Sequence, residues 1–254
     1  MGPMSRPSCI RSTHFTLAVL AGLGLFFNAS AQNPPAPAAE EGIALAIVFD
    51  TSGSMKDPVA DSAGKMTPKH LIAKRALRAI IDRLAAHQSG PSAAARNLET
   101  GLVVFGQNRA LVAVPFRRFE AAALRAWADQ FKEPGGATPL GEATHAAANM
   151  VLGSKLTRKH VLVVTDGANT AGPDPAAVIA HLKKLAAQKQ AGIGFHYVAF
   201  DVDAKLFDPI KKLGASVVSA ADERQLNAQL EYIMERKILL EDEEPPAQGG
   251  NKSK

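Results

Sequence analysis

The chain has 254 residues, 46% of them hydrophobic and 21% charged, with a formal net charge of +5. That is enough apolar material for one sizeable core, and it excludes a low-hydrophobicity disordered chain. The basic residues are spread out, with no Lys/Arg stripe interleaved with aromatics, which argues against nucleic acid as a partner.

Arg6 and Arg11 precede a charge-free apolar run, Phe15 to Phe27, and Ala29-Ser30-Ala31 follows as a small-residue cleavage pattern. The 13 residues of that run fall short of the about 20 needed to span a bilayer. Residues 1–31 are therefore expected to be a signal peptide, leaving a mature chain with no transmembrane segment in the periplasm or outside the cell. Cleavage would remove Cys9, the only cysteine, and with it any disulfide or thiolate metal site. It would leave 27 basic side chains against 24 acidic ones. Residues 32–41, with Pro34, Pro35 and Pro37, read as a Pro/Ala-rich linker. Residues 42–240 read as the folded domain, and residues 241–254 as a disordered polar tail.

Ile43 to Phe49 is short and almost wholly apolar, the pattern of a strand buried on both faces. Thr67 to Ala86 has helical spacing, with Ala73, Leu77, Ile80, Ile81 and Leu84 on one face, Thr67 as N-cap and Pro68 in the first turn. Gly101 to Phe105 and Ala110 to Phe116 are strands joined by Gly106-Gln107-Asn108-Arg109, a hairpin that adds one antiparallel edge. Phe119 to Phe131 is a helix whose Trp127 falls at a core spacing. Gly135 to Gly141 opens another helix, running to about Leu152, on which His145 is expected to pack. His160 to Thr165 is a second apolar strand. Asp174-Pro175 starts a helix with Ile179, Leu182 and Leu185, and Gly192 suits its C′ region. Ile193 to Phe200 is a strand, Val217-Val218 a short edge strand, and Asp222-x-x-Gln225 a capping box before Leu226, Leu230, Ile233 and Met234. Alternating strands and helices predict a three-layer, doubly wound α/β domain with a mostly parallel sheet and one antiparallel edge strand, Rossmann-like in plan.

Asp50-Thr51-Ser52-Gly53-Ser54 follows the first apolar strand, at the carboxyl end where open α/β sheets place their ligand crevices. One carboxylate and two hydroxyls at alternate positions offer hard oxygen ligands to a small divalent cation. Taken alone, the pentapeptide serves a polar turn equally well. Two distant stretches break the tie. Asp166 ends the other apolar strand, and Thr138 lies in the glycine-rich loop before a helix. Asp50, Ser52, Ser54, Thr138 and Asp166 thus supply five oxygen groups from three loops, with two carboxylates to match one Mg²⁺.

With these residues the sequence resembles the von Willebrand factor type A domain from about Gly42 to Leu240. Its metal-ion-dependent adhesion site (MIDAS) has the pattern D-x-S-x-S, a distant Thr and a distant Asp. Here these are Asp50-Thr51-Ser52-Gly53-Ser54, Thr138 within GGATPLGEA, and Asp166 within VVTDG. The resemblance implies that Ser52, Ser54 and Thr138 contact the metal directly while Asp50 and Asp166 act mostly through bound water. Neutral hydroxyl ligands would leave the cation with charge to spare and an open position, which an Asp or Glu carboxylate of a partner protein completes. The implied role is metal-dependent binding of another protein, in adhesion, as an adaptor or in assembly. Mg²⁺ fits by ligand type, with Mn²⁺ and Ca²⁺ as alternatives.

Against this stands an enzyme with Asp50 as nucleophile, a metal-dependent hydrolase or phosphatase. Such enzymes resemble D-x-D-x-T, and Ser52 occupies the place of their general acid, although Asp57 and Asp61 follow in the same loop. A serine hydrolase lacks its G-x-S-x-G elbow, the histidines are scattered without zinc spacing, and Gly135-Gly136 lacks the Lys-Ser/Thr of a phosphate-binding loop.

Overall fold

The apolar run after Gly42 forms β1 (Glu40–Phe49) in the computed structural model, which describes residues 39–89, 97–106 and 108–239. The expected signal peptide with Cys9, residues 32–38 of the expected linker, residues 90–96, Gln107, Leu240 and the expected tail of residues 241–254 lie outside the described residues. β1 begins at Glu40, two residues inside the stretch read as linker. From Gly42 to Phe49 every residue of it is buried.

Burial on both faces requires neighbours on both sides and layers above and below. β1 lies between β4 (Asn97–Gly106) and β6 (Leu156–Thr165), parallel to each. With β5 (Arg109–Arg118), β7 (Gly194–Phe200) and β8 (Ser216–Ala220) the sheet runs β5-β4-β1-β6-β7-β8. Only β5 is antiparallel, joined to β4 by the expected hairpin, in which Asn108 takes φ +66°.

Side-chain alternation on β1 assigns the two layers. Ile43, Leu45, Ile47 and Phe49 face α1 (Lys69–Ser89), α2 (Ala121–Gln130) and α6 (Glu223–Ile233) through Ile72, Leu77, Leu124 and Leu226. Ala44, Ala46 and Val48 face α3 (Leu140–Gly153) and α4 (Pro175–Gln188) through Ala143, Ala147 and Ile179. On the second face the small Ala44 and Ala46 meet the equally small Ala143 and Ala147 of α3, and larger side chains such as Ile179 and Tyr197 fill the rest of that layer. Trp127 joins the first layer, edge-on to Phe49 at 5.4 Å and stacked on Phe131 at 5.2 Å.

Local chemistry places several ends where the sequence put them. Asp174 accepts a hydrogen bond from the Ala177 amide at 2.9 Å, and Asp222 one from Gln225 at 2.8 Å. Other ends move. Thr67 does not cap α1: Met66–Pro68 forms β3, paired antiparallel with β2 (Pro58–Ala60), and the Thr67 hydroxyl donates to Asp61. Asp61 also accepts from the amides of Ala63 and Lys65, so it shapes this ribbon's turn. The left-handed residue after α4 is Gln190, φ +54°, where Gly192 was expected. The Gln225 side chain reaches the Ala221 amide, one residue short of a reciprocal box. His145 lies exposed on α3 beside Asn149, because the small residues around it carry the packing. The short α5 (Asp208–Lys212) has no counterpart in the sequence reading. Among the described residues, no helix is long and apolar enough to cross a membrane.

His160 on β6 and His196 on β7 bury their rings against each other, with Nδ1 of the first 3.2 Å from Nε2 of the second. Burial, with the neighbouring charges of His196 and Arg158, pushes His160 down to about 3. Burial, with Lys237 nearby, pushes His196 down to about 4. In the unfolded chain both take up protons near pH 6.5, whereas in the fold they stay neutral to much lower pH. Their contribution to stability is thus fully present above pH 6.5 and is lost as pH falls toward 4. Thermal melts between pH 7 and 4.5 should show a shallower loss of stability in His160→Gln than in the wild type.

Candidate metal centre

The strand β1 delivers Asp50 to the carboxyl edge of the sheet, fully buried. One of its oxygens accepts from the Ser52 amide at 2.7 Å and the other from the Thr165 hydroxyl at 2.6 Å. Burial pushes the Asp50 carboxyl up to about 6. The Ser52 and Thr165 hydrogen bonds oppose that rise, and the charge of Asp166 adds to it. Each oxygen accepts a hydrogen bond, and the side chain is shielded from solvent.

The hydrogen bond to Ser52 curls the chain into a short 3₁₀ turn, Gly53–Lys56. This curl sets the Ser52 and Ser54 hydroxyls 3.2 Å apart. Ser54 donates to Asp166 Oδ1 at 2.8 Å, which ties the end of β1 to the end of β6. Thr138 arrives on the third loop. A Cβ built on Gly167 would lie 3.9 Å from both the Ser54 and the Thr138 hydroxyls, so the three loops converge. All five residues expected from the sequence therefore meet in one place, with only Ser54 well exposed.

The loops are latched by contacts that sequence reasoning missed. Gly53 donates its amide to Gly136 O at 3.0 Å, and Gly135 donates to Thr51 O at 2.7 Å. The Thr51 hydroxyl donates to Phe105 O at 2.7 Å and accepts from Phe105 N at 2.9 Å, pinning the pentapeptide to β4. Thr138 and Thr170 are joined in both directions, the Thr138 amide to the Thr170 hydroxyl and the Thr170 amide to Thr138 O. The other missed residue is Lys69. Its ammonium lies 2.8 Å from Asp166 Oδ2 and 3.3 Å from Asp201 Oδ2. Burial alone would lower the Lys69 pKa, but the contacts with Asp166 and Asp201 outweigh it, and the net shift is upward. Only the alternating D-x-S-x-S pattern was a local signal; Thr51, Thr165 and Lys69 gave none.

The donor set fits a small divalent cation. With metal–oxygen bonds of about 2.1 Å, neighbouring ligands of an octahedron stand roughly 3 Å apart, close to the Ser52–Ser54 spacing of 3.2 Å. Among the described residues no three His, Cys, Asp or Glu side chains gather as ligands, so this set is built on hydroxyls.

A doubly wound sheet with one antiparallel edge, and hydroxyls and carboxylates converging at the end of its central strand, define a three-layer α/β domain with its polar cluster at the carboxyl edge. Residues 44–231 match the von Willebrand factor type A domain, and the chain belongs to that family. Among solved structures, the PilB minor pilin from Streptococcus sanguinis is similar at 16% identity and TM-score 0.57, over 79% of this chain and 62% of the pilin. Proximal thread matrix protein 1 from the mussel byssus, solved with a zinc-occupied MIDAS motif, is similar at 18% identity and TM-score 0.56, over 79% of this chain and 49% of that one. The vWF domain of the type V pili tip protein Mfa5 from Porphyromonas gingivalis gives 13% identity and TM-score 0.53, over 78% and 95%. At these identities the likeness is one of fold, and the chain spans less than two thirds of the pilin and of the byssus protein. No curated protein matches the chain in sequence.

Thr51→Val keeps the volume of the side chain and leaves the buried Phe105 amide and carbonyl without their partner. Denaturant unfolding should show a loss of about 2 kcal/mol or more, the cost of stranding buried polar groups.

Proposed function

We propose that this domain holds one divalent cation through Asp50, Ser52, Ser54, Thr138 and Asp166, and uses it to capture a carboxylate of a partner protein. The observation that carries this reading is the pair of hydroxyls 3.2 Å apart over two buried carboxylates. In this reading Ser52, Ser54 and Thr138 are the direct ligands. Asp50 and Asp166 balance the charge and orient the hydroxyls and bound water. Mg²⁺ suits the all-oxygen set, and Mn²⁺ and Ca²⁺ share its ligand chemistry. The zinc in the byssus protein's MIDAS motif supports divalent occupancy in this fold.

Hydroxyl ligands neutralise little of a cation's charge, so the ion stays attractive to an anion. A partner Asp or Glu would complete its coordination at the exposed side of Ser54, and charge-assisted contacts of this sort exceed neutral hydrogen bonds in strength. The buried, doubly hydrogen-bonded Asp50 supports an orienting role over a nucleophilic one. The pilus proteins that share this fold support an adhesive, adaptor or assembly role for an exported chain. The proposed organisation is a signal peptide over residues 1–31, a linker, the von Willebrand domain to residue 240, and a polar tail.

Calorimetric titration is the direct test. The wild type should bind Mg²⁺ and Mn²⁺, and Ser52→Ala combined with Ser54→Ala should abolish binding while the circular-dichroism spectrum stays that of the folded domain, with a lower melting temperature because Asp166 Oδ1 loses its donor. Capture of partners from native extract should be lost with chelator and with Thr138→Ala. Equal metal affinity in wild type and double variant would remove the five-residue assignment, and chelator-resistant capture would remove the adhesive role. Amino-terminal sequencing of the exported protein should begin at Gln32; intact Met1 in a membrane fraction would show an uncleaved anchor.

A further inference from the structure

Lys69 is the first residue of α1, where the helix dipole disfavours a cation, and its side chain is only 5% exposed. Burying an ammonium is costly unless it is paired. Helix chemistry therefore does not explain a lysine here, and its partners do: Asp166 Oδ2 at 2.8 Å and Asp201 Oδ2 at 3.3 Å. Among the described residues Lys69 is the sole partner of that Asp166 oxygen.

We propose that Lys69 is a built-in countercharge that competes with the divalent cation for Asp166 and keeps the site's metal affinity low. This rests on the metal reading above, and it names the residue that tunes that site. Two effects of Lys69 oppose each other. It orders Asp166, which favours metal binding, and it places a positive charge beside the cation, which disfavours it.

The ordering effect is redundant. Asp166 is buried, and its other oxygen already holds the Ser54 hydroxyl at 2.8 Å. The charge has no substitute. It acts through a buried, water-poor path, where screening is weak. The electrostatic effect therefore wins.

Asp201 completes the device. It directly follows β7 with φ +55°, its amide donates to Ala220 O at 2.7 Å, and its side chain is 42% exposed. Lys69 thus keeps a second carboxylate when a cation takes its share of Asp166, so it need not be left buried and unpaired. The site is balanced between an internal cation and an external one.

The test is Mg²⁺ titration by calorimetry, with thermal melts with and without Mg²⁺, on the full chain carrying Lys69→Met, Lys69→Gln or Lys69→Arg. Removing the charge should tighten Mg²⁺ binding by roughly tenfold or more. The melting temperature without metal should fall in the Met and Gln variants, and the rise produced by Mg²⁺ should grow beyond that of the wild type. Lys69→Arg keeps the charge and should bind Mg²⁺ like the wild type. A purely structural lysine would lower the melting temperature equally with and without Mg²⁺ and leave the affinity unchanged. If whichever of the Met and Gln variants folds binds Mg²⁺ no more tightly than the wild type, or if Lys69→Arg tightens as much as Lys69→Met, the countercharge is refuted while the metal site stands. If no protein in the series binds Mg²⁺, both readings fall.

Discussion

Placing a carboxylate at the end of a strand buried on both faces is the constraint from which the rest of this domain follows. The apolar side chains of β1 are stable only between two helical layers, each large one contributing about 1.5–3 kcal/mol when withdrawn from water. That burial carries Asp50 into the same water-poor interior, where an ionised group is penalised. The penalty can be met only by donors brought to it, and the Ser52 amide and Thr165 hydroxyl are those donors. The first fixes the curl of the pentapeptide. The second binds the ends of β1 and β6 together. The hydroxyl pair and the converging loops are consequences of satisfying one buried acid.

Two buried acids in this molecule behave in opposite ways, and the contrast is informative. Glu223, at the start of α6, is pushed down to about 2, chiefly by its hydrogen bonds from Arg75 and also by those from Ser62. It already has its cation, and it fastens the β2–β3 ribbon to α1 and α6. Asp50 has only neutral donors and is pushed up to about 6. Its burial outweighs what the Ser52 and Thr165 hydrogen bonds return, and the nearby charge of Asp166 adds to the rise.

Rigidity follows from the same economy of polar groups. Thr51, Gly53, Gly135, Gly136, Thr138 and Thr170 exchange hydrogen bonds that would otherwise leave loop amides and carbonyls stranded beneath the surface. Nearby, Trp127 stacks on Phe131 and both meet Phe49 edge-on, joined by His70, whose ring meets Phe131 at 6.3 Å and the Met55 carbonyl at 3.0 Å. The loops rest on packed core and on one another, so the spacing of the two serine hydroxyls is held from several directions.

The sequence alone determined what depends on neighbours along the chain. Two-face burial was legible in Ile43 to Phe49, the hairpin in Gly106 to Arg109, and the N-caps in Asp174 and Asp222, because each uses partners within a few residues. The five candidate ligands were legible because D-x-S-x-S is a local pattern and Thr138 and Asp166 stand at ends of elements that local periodicity locates. Tertiary structure decided what depends on distant partners. Thr67 left the helix because a strand pairing and Asp61 claimed it, and Gln190 turned left-handed because α4 closes there. Thr165 and Thr51 became fasteners of the site only when β1 met β6 and β4. Lys69 is a member of the same kind. In the sequence it sits in the first turn of a helix like any surface lysine, and only the fold brings it against carboxylates 97 and 132 residues away. Charge pairing across such separations leaves no trace in local spacing, because Coulomb energy depends on distance in space and not on distance along the chain.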